Sequence, residues 1–255
     1  MGPSFLSLPP RPAKPREVGL THVLDKGLTP SATAEILELV GDQIDVWKFG
    51  WGTAYVDRGL DRKISALKAH DVACCLGGTL LELAWSQGRA EECLTWAERC
   101  GFDAVEVSRG VVAMPLDAKR ELIKGAAETF IVLAETGVKD AKVVLSARQW
   151  RDEIAEDLAA GATWIITEGR ESGTVGIYDG SGIPKPDIID AAVDAAGVGR
   201  VLFESPRKDQ QAWLINRFGP RVNLANIAPD EVLPLTTLRL GLRADTATLA
   251  LGRPR

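Results

Sequence analysis

The chain has 255 residues, 45% hydrophobic and 25% charged, which is ordinary globular composition and enough length to bury a core without disulfides. The formal net charge of −5 argues against a nucleic-acid surface, because neutralising phosphates takes clustered Lys and Arg. No run approaches the ~18 apolar residues of a membrane-spanning helix, and MGPSFLSLPPRP lacks the basic-then-apolar order of a secretory signal, so a cytoplasmic protein with no membrane or nucleic-acid partner is expected.

Residues 1–18 form an arm carrying Pro3, Pro9, Pro10, Pro12 and Pro15, made basic by Arg11, Lys14 and Arg16. Proline removes backbone donors, so the arm reads as extended, lying over the folded body or reaching another subunit, with a disordered tail as the bland alternative. A strand follows from about Gly19 to Leu24 and ends in Asp25 and Lys26. Pro30 and Ser31 open a helix over Ala32–Val40, with Ser31 as its cap. The strand Ile44–Phe49 places Lys48 on the face of Ile44 and Val46 and runs into Gly50-Trp51-Gly52-Thr53. A helix near Leu60–Ala69, a strand Val72–Leu76 ending in Gly77-Gly78-Thr79, and one long helix Ala84–Cys100 come next.

The strand Ala104–Val107 carries Glu106 and Ser108 on one face and ends at Arg109-Gly110. Leu116–Ala127 reads as a helix, and Phe130–Ala134 as a strand ending in Glu135, Thr136 and Gly137, then Lys139 and Asp140. Residues 141–145 read as part of a long loop before the helix Gln149–Ala160. The strand Trp164–Thr167 runs into Glu168 and Arg170, which share one face of the extended chain, and a glycine-rich loop continues to Gly182. The helix Pro186–Ala196, the strand Arg200–Phe203 ending in Glu204, the helix Lys208–Phe218 and the strand Val222–Leu224, flanked by Asn223 and Asn226, follow. A helix over Pro229–Arg243 closes the pattern.

These are eight strand–helix units at a spacing of roughly 30 residues, the length a βα unit needs. Apolar strands that end in charge suit a parallel sheet covered on both faces. The expected fold is an α/β (β/α)8 TIM barrel in a single domain over residues 19–246, with the proline-rich arm before it and a tail over 247–255. An open doubly wound sheet is disfavoured, because neither G-x-G-x-x-G after the first strand nor a Walker loop is present.

Cys93, Trp96 and Cys100 recur at helical spacing and read as a buried stripe; Cys74 and Cys75 are strand neighbours on opposite faces. Neither arrangement suits zinc. His22 lies in an apolar strand and reads as a hydrogen-bonded core group, and His70 is isolated. Barrel chemistry comes from the C-terminal ends of the strands, which here offer Asp25, Lys26, Lys48, Glu106, Ser108, Glu135, Lys139, Glu168, Arg170, Glu204 and Asn223. Carboxylates beside cations are the inventory for a divalent metal plus an anionic substrate, although salt bridges tying the barrel rim would use the same residues.

The segments RPAKPREVGLTHVLDKGL (11–28), KFGWGT (48–53), GGTLLE (77–82), VEVSRG (105–110), VLAETGVKDA (132–141), TEGRESGTVGIYDG (167–180), FESPRKDQQAWLI (203–215), VNLANI (222–227) and LTTLRLGLRADT (235–246) together resemble the phosphosulfolactate synthase family over about Phe5 to Thr246. The resemblance implies a TIM barrel and a Mg²⁺-dependent addition of sulfite to phosphoenolpyruvate, a small anionic phosphorylated substrate, serving coenzyme M or sulfolactate production. It implies Lys139 as general acid, with Lys48 and Asp25 also catalytic. Lys26, Lys48, Arg170, Ser108 and Asn223 would contact substrate, and Glu135, Glu168 and Glu204 would hold the metal. The tryptophans Trp85, Trp96, Trp150 and Trp213 and the arm would suit a homo-oligomer, and core packing explains them as well.

The chain departs from the family pattern at Ala54, Arg109, Ser205, Ala225, Thr236 and Ala244. Those positions fall at strand ends and in the final loop, where an added methyl or cation would reshape an anion site. They raise two alternatives: a relative with a changed nucleophile or phosphorylated substrate, and a non-catalytic, stress-associated barrel scaffold.

Overall fold

The computed structural model describes residues 5–137 and 145–251. Its strands are β1 (Thr21–Asp25), β2 (Val46–Phe49), β3 (Ala73–Leu76), β4 (Ala104–Val107), β5 (Ile131–Thr136), β6 (Trp164–Thr167), β7 (Val201–Glu204) and β8 (Asn223–Ile227). All pair in parallel with their sequence neighbours, and β8 pairs with β1, so the sheet closes. The fold is the (β/α)8 barrel that the 30-residue spacing implies. The surrounding helices are α1 (Pro30–Val40), the single turn α2 (Thr53–Val56), α3 (Leu60–Ala69), α4 (Gly78–Ser86), α5 (Ala90–Cys100), α6 (Leu116–Ala126), α7 (Ala147–Ala160), α8 (Pro186–Ala196), α9 (Lys208–Phe218) and α10 (Val232–Arg239).

Two cores follow from the two-residue period of a strand. Leu20, Val46, Cys75, Ala104, Leu133, Ile166, Leu202 and Ala225, one from each strand or its first flanking residue, fill the barrel interior. The alternate residues, such as Val23, Trp47, Phe49, Cys74, Val105, Ile165 and Phe203, pack outward against the helices. Cys74 and Cys75 therefore do face opposite sides. Cys93 and Cys100 are only half-buried, at the edge of the outer core.

Several local expectations change. The cap of α1 is Thr29, whose Oγ1 accepts from the Ala32 N–H at 3.2 Å; Pro30 takes the first helical position, where its missing donor is harmless, and so moves the cap one residue earlier than Ser31. The expected helix Ala84–Cys100 is two helices, because Gly88 adopts φ +69° and ends the first. The last helix covers only Val232–Arg239, after a 3-10 turn at Pro229–Glu231, and stops before Gly241 at φ +69°. The strand β8 runs on to Ile227 through a bulge, the register slipping between Thr21↔Leu224 and Val23↔Ile227.

The described part of the arm straps the N-terminal face of the barrel. Arg16 Nη1 donates to Asp45 at 2.9 Å, and Lys14 Nζ donates to the carbonyls of Gly41, His70 and Asp71 at 2.8–3.1 Å. Positive charge thus meets carbonyls just beyond α1 and α3, the helix ends that favour it.

Candidate active site

Two residues beyond each inward apolar residue, the same face of the strand reaches the mouth of the barrel. Val46 leads to Lys48, Ala104 to Glu106, Leu133 to Glu135, Ile166 to Glu168 and Leu202 to Glu204. All five charged side chains are buried. They line a cavity of about 240 Å³ that Gly77, Gly78, Thr79, Asn226, Arg170, Glu171, Trp51 and Val111 help to enclose.

Lys48 is the buried cation of this group. Its Nζ lies 2.8 Å from Glu106 Oε2 and 3.5 Å from Glu204 Oε1. Burial alone would push the ammonium down, but Glu106, Glu204 and Glu135 outweigh it and push it up, so Lys48 stays charged. The carboxylates are also fixed by backbone donors. Glu106 Oε1 accepts from Gly78 N at 3.1 Å, Glu204 Oε2 from Gly169 N at 2.8 Å and Glu168 Oε1 from Arg170 N at 2.8 Å. Gly78 must be glycine, since a Cβ there would run into Ser108 Oγ and sit 3.2 Å from Glu106 Oε1. Gly176 is needed for the same reason: at φ +61° its backbone lies against the Glu168 carbonyl and folds the loop after β6 back over the mouth.

The other expected site residues are placed differently. Asp25 sits one residue out of phase, on the outer face of β1, and is fully buried. Its carboxylate takes Lys63 Nζ at 3.0 Å, the Trp47 indole N–H at 3.3 Å and the N–H groups of Gly27 and Leu28. It anchors α3 to the barrel and does not reach the mouth. Asn223 faces inward at the wrong end: it accepts from Leu20 N and donates to the carbonyls of Gly199 and Val201, at the N-terminal face. Lys26 is exposed, its Nζ 5.4 Å from the centre of the Trp51 ring. Ser108 donates to Glu82, which also accepts from the N–H groups of Gly110, Val111 and Val112 and so ties the loop after β4 to α4. Lys139 lies outside the described residues.

Asn226 is the mouth residue that sequence reasoning passed over. The bulge in β8 turns it to φ +56°, its N–H donates to His22 Nδ1 at 3.4 Å, and its buried Oδ1 has no hydrogen-bond partner among the described residues. Four non-glycine residues among those described have positive φ, and three of them, Trp51, Arg170 and Asn226, line the mouth. Backbone strain of this kind gathers at functional sites.

None of the six departures from the family pattern lines the cavity among the described residues. Arg109 forms a bidentate pair with Glu153 on α7, at 3.1 and 3.3 Å. Ala54 and Ala225 are buried in the outer and inner cores, and Ser205 Oγ donates to its own strand. Thr236 bonds back within α10, and Ala244 is exposed.

A closed parallel barrel with charged groups gathered at the C-terminal ends of its strands is the architecture of a (β/α)8-barrel enzyme. The sequence profile of (2R)-phospho-3-sulfolactate synthase (ComA) matches residues 9–245. The chain is 44% identical to the phosphosulfolactate synthase of Methanocaldococcus jannaschii, covering 89% of this chain and 93% of that one. It is 40% identical to the phosphosulfolactate synthase of Bacillus subtilis, covering 94% and 97%. The chain therefore belongs to the phosphosulfolactate synthase family and is an enzyme of that family. Among solved structures, 3-hexulose-6-phosphate synthase superposes with a TM-score of 0.53 at 18% identity, covering 86% of this chain and 97% of that one, a likeness of fold.

Proposed function

We propose that this enzyme adds sulfite to phosphoenolpyruvate with the help of Mg²⁺, giving (2R)-phospho-3-sulfolactate. The observation that carries the reading is the charge of the mouth. Among the described residues, Glu106, Glu135, Glu168 and Glu204 surround one buried cation, Lys48, with Arg170 and Glu171 at the rim. A divalent cation held by such carboxylates, with Arg170 at the rim, would offer a phosphorylated carboxylate a positive seat.

The donor set fits Mg²⁺. Among the described residues no three His, Cys, Asp or Glu groups converge as a metal cage, and Mg²⁺ needs none, since it keeps waters and takes one or two carboxylates plus substrate oxygens. Glu135 and Glu168 are the carboxylates proposed to hold it, at the ends of the paired strands β5 and β6. Glu204, which accepts from Gly169 N and lies 3.5 Å from Lys48 Nζ, is the third candidate. Bound there, the ion supplies charge that stabilises electron density building on the substrate carboxylate.

In the reaction the sulfur lone pair of sulfite forms a bond to the methylene carbon of phosphoenolpyruvate. The C=C π pair moves toward the carboxylate, giving an aci-carboxylate, and a proton is then delivered to the carbon that bears the phosphate ester. Lys48, held charged, supplies a fixed cation beside the developing anion and makes a poor acid. The proton is proposed to come from Lys139, on the strength of the family motif. Arg170 at the rim, with the N–H groups at the start of α4, suits the phosphate. The retained mouth also weighs against a changed substrate, because the departures from the family pattern lie away from it.

The test is purified protein with phosphoenolpyruvate, sulfite and Mg²⁺, followed by loss of the enol phosphate absorbance. Turnover that stops on chelation and returns with Mg²⁺ is expected. Absence of both turnover and phosphoenolpyruvate binding would overturn the reading, and binding without reaction with sulfite would shift it to a different nucleophile.

A further inference from the structure

Lys119, near the start of α6, is wholly removed from water, and its three ammonium donors are all taken. Two go to α7: Glu153 Oε1 at 2.8 Å and Asp157 Oδ2 at 2.6 Å. The third goes to the main-chain carbonyl of Glu135, at 2.8 Å, close to the end of β5. The Val132 and Thr136 carbonyls accept from Thr163 N and Glu168 N, on the β6 side, so alternation turns the Glu135 carbonyl toward β4. The β4–β5 ladder ends at Val107↔Ala134, one residue short of it. Past that point the chain after β4 leaves for the loop that Glu82 ties to α4. A buried carbonyl without a donor is costly, and Lys119 reaches in from outside the sheet to supply one.

The lysine is in turn held by one face of α7, where Trp150, Glu153, Ile154 and Asp157 are buried at i, i+3, i+4 and i+7. Arg109, two residues past β4, takes Glu153 in its bidentate pair. The cluster thus holds two cations and two carboxylates. Trp150, on the same face, lies against Gly137: a Cβ there would come within 3.0 Å of the indole and would run into Glu168. So α7 fixes the exit of β5 at two points, Glu135 through Lys119 and Gly137 through Trp150. The other fully buried lysine, Lys63, differs in this respect. Its carboxylate partners, Asp25 and Asp57, do not line the mouth, whereas Lys119 bonds the backbone of a residue whose side chain does.

We propose that Lys119 is a positioning residue for the mouth: by holding the Glu135 carbonyl it sets the height and rotation at which β5 presents the Glu135 carboxylate to a divalent cation. The inference rests on the metal reading given above. With its donors used on Glu135, Glu153 and Asp157, the ammonium acts through the backbone and has none left for substrate. Groups that orient a metal-holding side chain commonly change metal affinity 10- to 100-fold when removed.

Manganese(II), which takes the same oxygen donors as Mg²⁺ and has an EPR signal when free, is the probe. Lys119→Met alone would leave two buried carboxylates with one cation and so risks unfolding. Lys119→Met combined with Asp157→Asn removes one charge of each sign and keeps the cluster balanced. Asp157→Asn alone is the control, because it weakens the cluster and keeps the bond to the Glu135 carbonyl. With both proteins shown to be folded by circular dichroism, the control should bind Mn²⁺ as the unsubstituted enzyme does. The doubly substituted enzyme should bind it about tenfold more weakly. The Mg²⁺ concentration that half-saturates turnover should rise by the same factor. Equal Mn²⁺ affinity in the two variants overturns the proposal and leaves the proposed reaction standing. No Mn²⁺ binding by the unsubstituted enzyme removes the metal reading, and the inference falls with it.

Discussion

The ammonium of Lys48 and the carboxylate of Glu106 meet at 2.8 Å inside the barrel mouth, both almost wholly removed from water. A pair this deep is held in place by its surroundings: Glu106 is also fixed by Gly78 N, and Lys48 is also approached by Glu204. Removing Lys48 takes away an ammonium that both Glu106 and Glu204 approach in a place closed to water, which is the costly way to break a buried pair.

Lys48→Met should therefore destabilise the enzyme by about 3 kcal/mol in urea unfolding and lower kcat/KM by about 10²–10³. The folded ammonium is pushed above its ordinary 10.5, so its stabilisation is fully present below that pH and is lost only as pH rises through the folded value. The wild-type contribution should be flat from pH 6 to 9. Unfolding curves across that range, with initial rates alongside, check both statements; unchanged activity in a stable Lys48→Met protein would remove Lys48 from the site.

Asp25 was expected in the catalytic set and lies on the far side of its strand, buried with Lys63 and the Trp47 indole. Asp25→Asn should cost about 2–4 kcal/mol of stability, Lys63 keeping Asp57 at 2.7 Å as a partner. Below the unfolding transition its kcat should stay within about threefold of wild type, roughly 0.65 kcal/mol on the barrier. Loss of turnover with unchanged stability would restore Asp25 to the chemistry.

The parity of each strand explains how much of this was legible. Once Val46, Ala104, Leu133, Ile166 and Leu202 face inward, the residues two further on must reach the mouth, and Lys48, Glu106, Glu135, Glu168 and Glu204 do line the cavity there. Asp25 was taken from the strand end without its phase: Leu20 is inward, so Asp25 five residues later is outward. Asn223 has the right phase and the wrong height, a distinction that needed the true end of β8 at Ile227. Asn226 was hidden by the bulge, which no spacing rule announces. The division of Ala84–Cys100 at Gly88 was missed because apolar periodicity continues across the break.

His22 shares the inner face of β1, and burial, with Lys48 nearby, pushes its imidazole down to about 3 from 6.5. The folded protein thus keeps it neutral where the unfolded chain protonates it. Its contribution is present above pH 6.5 and is lost as pH falls from there toward about 3. Between pH 6.5 and about 4.5 this amounts to about 2–3 kcal/mol. His22→Asn, which can keep an acceptor for the Asn226 N–H, should show a shallower fall in stability over that interval. Parallel slopes in the two proteins would show that His22 is not the group responsible.

Asn226 combines a strained backbone with an amide at the mouth, and the two can be separated by a pair of substitutions. Asn226→Gly removes the amide and suits φ +56°, whereas Asn226→Ala removes the same amide and keeps the strain. If the side chain serves substrate, as the proposed reaction suggests, both variants should raise KM for phosphoenolpyruvate by about tenfold, the worth of one hydrogen bond of about 1.4 kcal/mol. Their stabilities should then diverge, Asn226→Ala falling about 1 kcal/mol below Asn226→Gly. A normal KM in Asn226→Gly would mean that the bulge, not the amide, is what the site requires.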